Sequence, residues 1–140
     1  MSAGRGMRSA LPILAAGLVV ACGAPHLQTV RMAKARLIGQ PEAVLAACIG
    51  EPFEIVPGDR PGTEVRRYAS AQAVDAYGRR LATPRPSAAA IQRACVFDVE
   101  LAGGRIVEVR SENRAGWGFG SIARCSRVVQ KCASRSGDVE

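Results

Sequence analysis

Apolar residues are unevenly distributed along this chain, and their spacing divides it into segments. The longest unbroken apolar run is Leu11 to Val20, LPILAAGLVV. Ten such residues fall short of the ~20 that a helix needs to cross a bilayer. Residues 23–36, GAPHLQTVRMAKAR, show no sustained apolar period, which predicts an irregular tether with His26 as a solvated linker residue. From Gly39 the pattern sharpens. Pro41 suits a first helical turn and Glu42 complements the helix dipole. Leu45, Cys48 and Ile49 share a helical face, and Gly50 with Pro52 ends the element.

Phe53 to Val56 and Thr63 to Tyr68 read as strands joined by the turn sequence Pro57-Gly58-Asp59-Arg60-Pro61-Gly62. Residues 70–92 are rich in Ala, Arg and Pro and predict a mobile insertion; Val74, Tyr77 and Leu81 also fit a helix over 71–81. Arg93 to Ser111 predicts a hairpin. A three-residue loop, Ala102-Gly103-Gly104, would set Val99 against Val107, Phe97 against Val109 and Cys95 against Ser111. That register puts Asp98 across from Glu108 on the other face. Two close carboxylates raise one pKa, as in many hydrolases, while Arg66 or Arg110 would make the same pair a solvated ion cluster.

The last periodic segment is Ser121 to Cys132, with Ser121 as a plausible N-cap. Ile122, Cys125, Val128, Val129 and Cys132 fall on one side of this helix, and Arg124, Arg127 and Lys131 on the other. The basic stripe suits anionic headgroups or glycolipid phosphates, or a solvated helix face. Trp117 and Phe119, set among glycines, suit either an exposed partner contact or a cover over the core. Residues 136–140 predict a disordered tail.

The apolar run acquires meaning from its flanks. Arg5 and Arg8 precede it and Val19-Val20-Ala21-Cys22-Gly23 closes it, the layout of an export signal. The closing residues resemble the lipobox of bacterial lipoproteins. The resemblance implies cleavage after residue 21, lipidation of Cys22 and, with Gly23 following, sorting to the outer membrane. Several acyl chains at about 0.8 kcal/mol per buried methylene anchor stably where one is marginal.

Residues 22–140 then form one small domain on a lipid anchor. The formal charge of the whole chain is +7, and removing Arg5 and Arg8 leaves the mature part basic. In an exported protein that balance favours lipid headgroups or an acidic envelope protein as partner, and argues against nucleic acid. With Cys22 spent on lipid, Cys48, Cys95, Cys125 and Cys132 remain, an even set for an oxidising compartment. No metal site is expected, since His26 is the single histidine and no C-x-x-C pair occurs. Cys125 and Cys132 lie seven residues apart on one helix, ~10 Å at 1.5 Å rise. A bridge needs Cα atoms within about 7 Å, so the two do not pair with each other. The strand leading from the hairpin into this helix favours Cys95 with Cys125, leaving Cys48 with Cys132.

Gly39, Leu45, Ile49, Gly50 and Pro52 match in register the pattern G-M-T-x-x-x-V-x-x-x-L-G-x-P, with Gln40 and Pro41 where that pattern has Met and Thr. In this stretch the chain resembles the SmpA/OmlA (BamE-like) family. The resemblance implies a helix-then-sheet fold and support of outer-membrane assembly, with Arg66-Arg67-Tyr68 standing in for a W-x-Y strand.

The expected fold is α+β: a small antiparallel sheet of about four strands with an N-terminal and a C-terminal helix packed on one face, tied by disulfides. The domain spans 37–135. The expected function is that of a non-catalytic envelope lipoprotein on the periplasmic face of the outer membrane, an assembly accessory without cofactor that works through protein contacts. A periplasmic binding module or inhibitor and, more remotely, an envelope hydrolase remain as alternatives. The sequence leaves the oligomeric state open.

Overall fold

The computed structural model describes residues 24–116 and 119–134. Their elements in order are α1 (Ala24–Leu37), α2 (Ala43–Cys48), β1 (Glu54–Pro57), β2 (Thr63–Ala69), α3 (Ala88–Ile91), β3 (Cys95–Ala102), β4 (Arg105–Asn113) and α4 (Phe119–Ser134). The strands form one antiparallel meander in the order β1-β2-β3-β4, so the fold is the expected α+β sheet with helices at both ends.

The core lies between the sheet and α1, α2 and α4. Alternate residues of the central strands, Tyr68 on β2 and Cys95, Phe97, Val99 and Leu101 on β3, are nearly or completely buried there against Leu45, Ile49 and Val129. Period-two alternation gives the sheet this apolar face. Phe53, Ala69, Ala94 and Val96 make a smaller cluster, with Ile91 of α3 packed against it.

The first difference from the sequence expectation is α1. Residues 24–37 form a helix integrated into the domain rather than an irregular tether. Its inward stripe is His26, Val30, Ala33 and Leu37, spaced four, three and four, as a helix packed on another helix requires. Ala33 and Leu37 are buried, and the His26 Nδ1 lies 2.9 Å from Ser126 Oγ on α4. The stripe escapes hydropathy reading because two of its four members are His and Ala. His26 is thus a half-buried link between helices, not a solvated linker residue. Past α1, the Gly39 N–H donates to the Ile106 carbonyl and the Ile106 N–H to the Gln40 carbonyl, stitching the α1–α2 connection to the start of β4.

The second difference is the hairpin register. Ala102 pairs with Arg105, so the loop is the two-residue Gly103-Gly104, and both glycines have positive φ, 59° and 76°. That is the geometry of a tight hairpin whose twist matches its strands. Carried straight along the strands, this loop would set Val99 against Glu108 and lose the apolar face. A bulge between Glu100 and Leu101 prevents that. It takes up one residue of β4, Val107, which is left 39% exposed, and restores Val99 opposite Val109. Phe97 therefore faces Ser111, and Cys95 faces Asn113.

The third difference lies in the segment 70–92, which folds around buried polar groups and forms no helix over 71–81. Gln72 Oε1 accepts from the Ala69 N–H (2.9 Å), and its Nε2 donates to the carbonyls of Glu51 (2.8 Å) and Leu81 (3.1 Å). Residues 74–80 turn back on themselves, with Val74 bridged to Arg80 and the Asp75 carboxylate accepting the N–H groups of Tyr77 and Arg79. An Asp at the start of a tight turn competes with helix for those donors, so 71–81 is not helical.

Both expected disulfides form. Cys48 is bonded to Cys132 with Cα atoms 5.0 Å apart, and Cys95 to Cys125 at 5.2 Å. The first ties α2 to α4, the second ties β3 to α4. Ser121 lies within α4 rather than at its N-cap. Its hydroxyl donates to the Gly116 carbonyl and accepts from Asn113 Nδ2, joining the helix to the end of β4.

Candidate functional site

Three surfaces carry the chain's charged and exposed apolar residues. The first is the sheet face turned away from the helices. Because the register is now fixed, one row crosses all four strands: Glu54, Arg67, Asp98 and Arg110 are successive Cα partners. Signs alternate along it. Arg67 donates to Glu54 at 3.0 Å and pairs with Asp98 at 3.2 Å, while Arg85 reaches Glu54 from outside the sheet. Asp98 thus pairs with Arg67 and lies across the strands from Arg110 instead of Glu108, and the carboxylate pair expected at those two positions does not form.

A different carboxylate pair does. Glu100 and Glu108 are cross-strand partners one row along. Glu100 is buried, its side chain 4% exposed, and Arg60 clamps it through Nε (3.3 Å) and Nη2 (3.1 Å), with Arg110 at 4.0 Å. Arg110 also binds Glu108, at 3.2 Å. Burial pushes the Glu100 carboxyl up, yet the Arg60 hydrogen bonds and charge outweigh it and hold the group below its usual range. A general acid needs the opposite shift. Glu54 is likewise held low, by its hydrogen bond to Arg67 first and then by Arg85. This face keeps its carboxylates ionised and paired.

The second surface is the basic side of α4. Arg124 and Arg127 are exposed, and Lys131 donates to the Tyr77 carbonyl, closing α4 onto the 74–80 turn. The structure adds Arg80, which the sequence does not single out. It is 9% exposed, donates from Nη1 to the carbonyls of Ser70 (3.1 Å) and Gln72 (3.2 Å), and has no carboxylate partner among the described residues. Burial and then the nearby Arg127 charge disfavour its cation. Both carbonyls lie where the segment leaves β2, so Arg80 has a structural role, that of holding the 80 end of the loop against its 70–72 start.

The third surface is a groove between α1 and α4 beside β4, about 270 Å³ in volume. Leu27, Val30 and Ile122 line it, with Arg31 and Lys34 also at its wall. Leu27 is 47% exposed. The groove went unseen in the sequence because it exists only if residues 24–37 are helical.

Of the remaining expected site residues, Cys22 and Trp117 lie outside the described residues, and Phe119 is the first residue of α4. Cys48, Cys95, Cys125 and Cys132 are bridged and buried. Among the described residues no group of three or more His, Cys, Asp or Glu has the arrangement to hold a metal ion, and no helix is long and apolar enough to cross a membrane. Compared with family models, with curated proteins and with solved structures, the chain matches none.

Proposed function

We propose that this chain is an exported lipoprotein, held by Cys22 on the periplasmic face of the outer membrane, and that it serves there without catalysis as a structural or assembly accessory through contacts with envelope proteins. The observation that carries this reading is the pair of disulfides, 84 and 30 residues in span, that fasten α4 to α2 and to β3. Such bridges persist in an oxidising compartment, and the lipobox-like Val19-Val20-Ala21-Cys22 supplies the route to one. The ion-paired sheet face supports the non-catalytic part, since Glu100 and Glu54 are fixed as carboxylates rather than poised to exchange protons. Arg124 and Arg127, exposed on the outer side of α4 and paired with no carboxylate among the described residues, suit an acidic partner surface.

Intact mass of the membrane-extracted protein tests this, measured with and without reductant and with thiol labelling. The expected mass is residues 22–140 plus diacylglyceryl and an amide-linked acyl chain, with no label taken up before reduction and four labels after it. An unlipidated mass, or thiols reactive before reduction, overturns the reading.

A further inference from the structure

The groove between α1 and α4 has two properties that together select an occupant. Leu27, Val30 and Ile122 give it an aliphatic part, Ser111 and Asn113 of β4 lie at its wall, and its α1 side also carries two cations, Arg31 and Lys34. Neither cation forms an ion pair with a carboxylate among the described residues, a property they share with Arg124 and Arg127 on the outer side of α4 but not with Arg60, Arg66, Arg67, Arg79, Arg85, Arg110 and Arg114. Burial lowers the Lys34 pKa, so an anion brought to it would relieve a cost already present. Aliphatic groups beside unpaired cations match the chemistry of a lipid boundary, where acyl chain gives way to phosphate.

The position of α1 gives the second argument. The helix begins at Ala24, two residues past Cys22. Two residues span at most ~7 Å of chain, and Leu27 is less than one further helical turn along. An anchor at Cys22 therefore leaves almost no slack, and whatever surrounds Leu27 is within reach of the headgroup layer.

We infer that the domain lies flush on the bilayer through the α1–α4 groove, Leu27 entering the acyl boundary while Arg31 and Lys34 meet lipid phosphates. This rests on the reading of Cys22 as lipidated. The consequence is a fixed orientation: β1, at the far edge of the sheet, points away from the membrane-proximal edge strand β4, and the 74–80 turn and basic side of α4 remain available to proteins.

The test is photocrosslinking in the full chain within native membranes, with p-benzoylphenylalanine in place of Leu27. Ile55, 55% exposed on β1, is the control position. Irradiation is expected to add the mass of one phospholipid at position 27 at least severalfold more often than at 55. Arg31→Glu together with Lys34→Glu is expected to reduce that yield severalfold. Equal yields at the two positions, or an adduct to protein alone at position 27, overturn the proposal. The same mass spectrum reports acylation of Cys22 independently. An acylated chain without the lipid adduct defeats the docking surface alone, and an unacylated chain with the adduct defeats the anchor alone.

Discussion

Gly50 shows how one residue constrains a neighbourhood. Its φ is 120°, and a Cβ built there would sit 2.3 Å from the Arg80 carbonyl oxygen and 2.5 Å from the Arg80 nitrogen. Both atoms are backbone, pinned by the Arg80 N–H bond to the Ile49 carbonyl and by the Glu51 N–H bond to the Arg80 carbonyl. Gly50→Ala therefore combines conformational strain with a clash that cannot relax, and should cost roughly 2–4 kcal/mol. Chemical denaturation will show it as a lower midpoint at unchanged slope. Tyr68 predicts the reverse. Its hydroxyl is buried with no hydrogen bond of good geometry among the described residues; burial raises its pKa, and the nearby Arg66 guanidinium offsets that only in part. Tyr68→Phe removes a desolvated polar atom while keeping the ring, so stability should hold or rise by up to about 1 kcal/mol. A fall in melting temperature would show that the hydroxyl is satisfied after all.

At the scale of elements, the sheet face and α1 make separate predictions. Glu54 and Glu100 both have folded pKa values below the ordinary 4.5. A depressed carboxylate contributes stability that is present above its unfolded pKa and is lost as pH falls through the folded one. Thermal stability should therefore be flat through neutral pH and decline below about pH 4.5. Glu54→Gln should shrink that decline, and Arg67→Ala should shrink it too while lowering stability at pH 7. For α1, Ala33 is fully buried in the core. Ala33→Asp would bury an unpaired charge and should cost about 3 kcal/mol or more. An independent tether would tolerate it, so circular dichroism melts of this variant distinguish the two.

These two elements also mark where sequence reasoning succeeds and stops. The strands and α4 were legible because large apolar residues recur at period two or on one helical side; helix rise excluded a Cys125–Cys132 bridge, and the strand leading from the hairpin into α4 selected Cys95 with Cys125. Helix α1 was not, since its packing stripe uses His26 and Ala33, whose hydropathy carries no signal. The hairpin register was missed for a different reason. A bulge shifts β4 by one residue without any local mark in Gly103-Gly104, so the carboxylates facing each other are Glu100 and Glu108, not Asp98 and Glu108. The buried pair of Gln72 and Arg80 was hidden because polar residues in a Pro-rich loop ordinarily read as solvated.

Over the whole molecule, stability leans on cross-links. Chain-entropy arguments assign roughly 4.5 kcal/mol to closing a loop of 84 residues and about 1 kcal/mol less to one of 30. In a domain this small each is a large share of the total. Cys48→Ala with Cys132→Ala should lower the melting temperature by well over 10 °C, since 1 kcal/mol shifts a domain of this size by several degrees. The loss should exceed that of the Cys95–Cys125 pair if the longer loop dominates.

Both bridges also end in α4, which has a consequence for how the molecule is made. On the proposed export route, a chain that emerges N-terminus first presents Cys48 and Cys95 long before Cys125 and Cys132 exist outside. During that interval an oxidant meets two thiols whose only available match is each other, or Cys22. The native pairs are nested rather than consecutive, so pairing in order of appearance yields the wrong molecule. Correct maturation must wait for the final tenth of the chain or undo an early mistake, and cells lacking a disulfide-shuffling enzyme should accumulate the Cys48–Cys95 isomer.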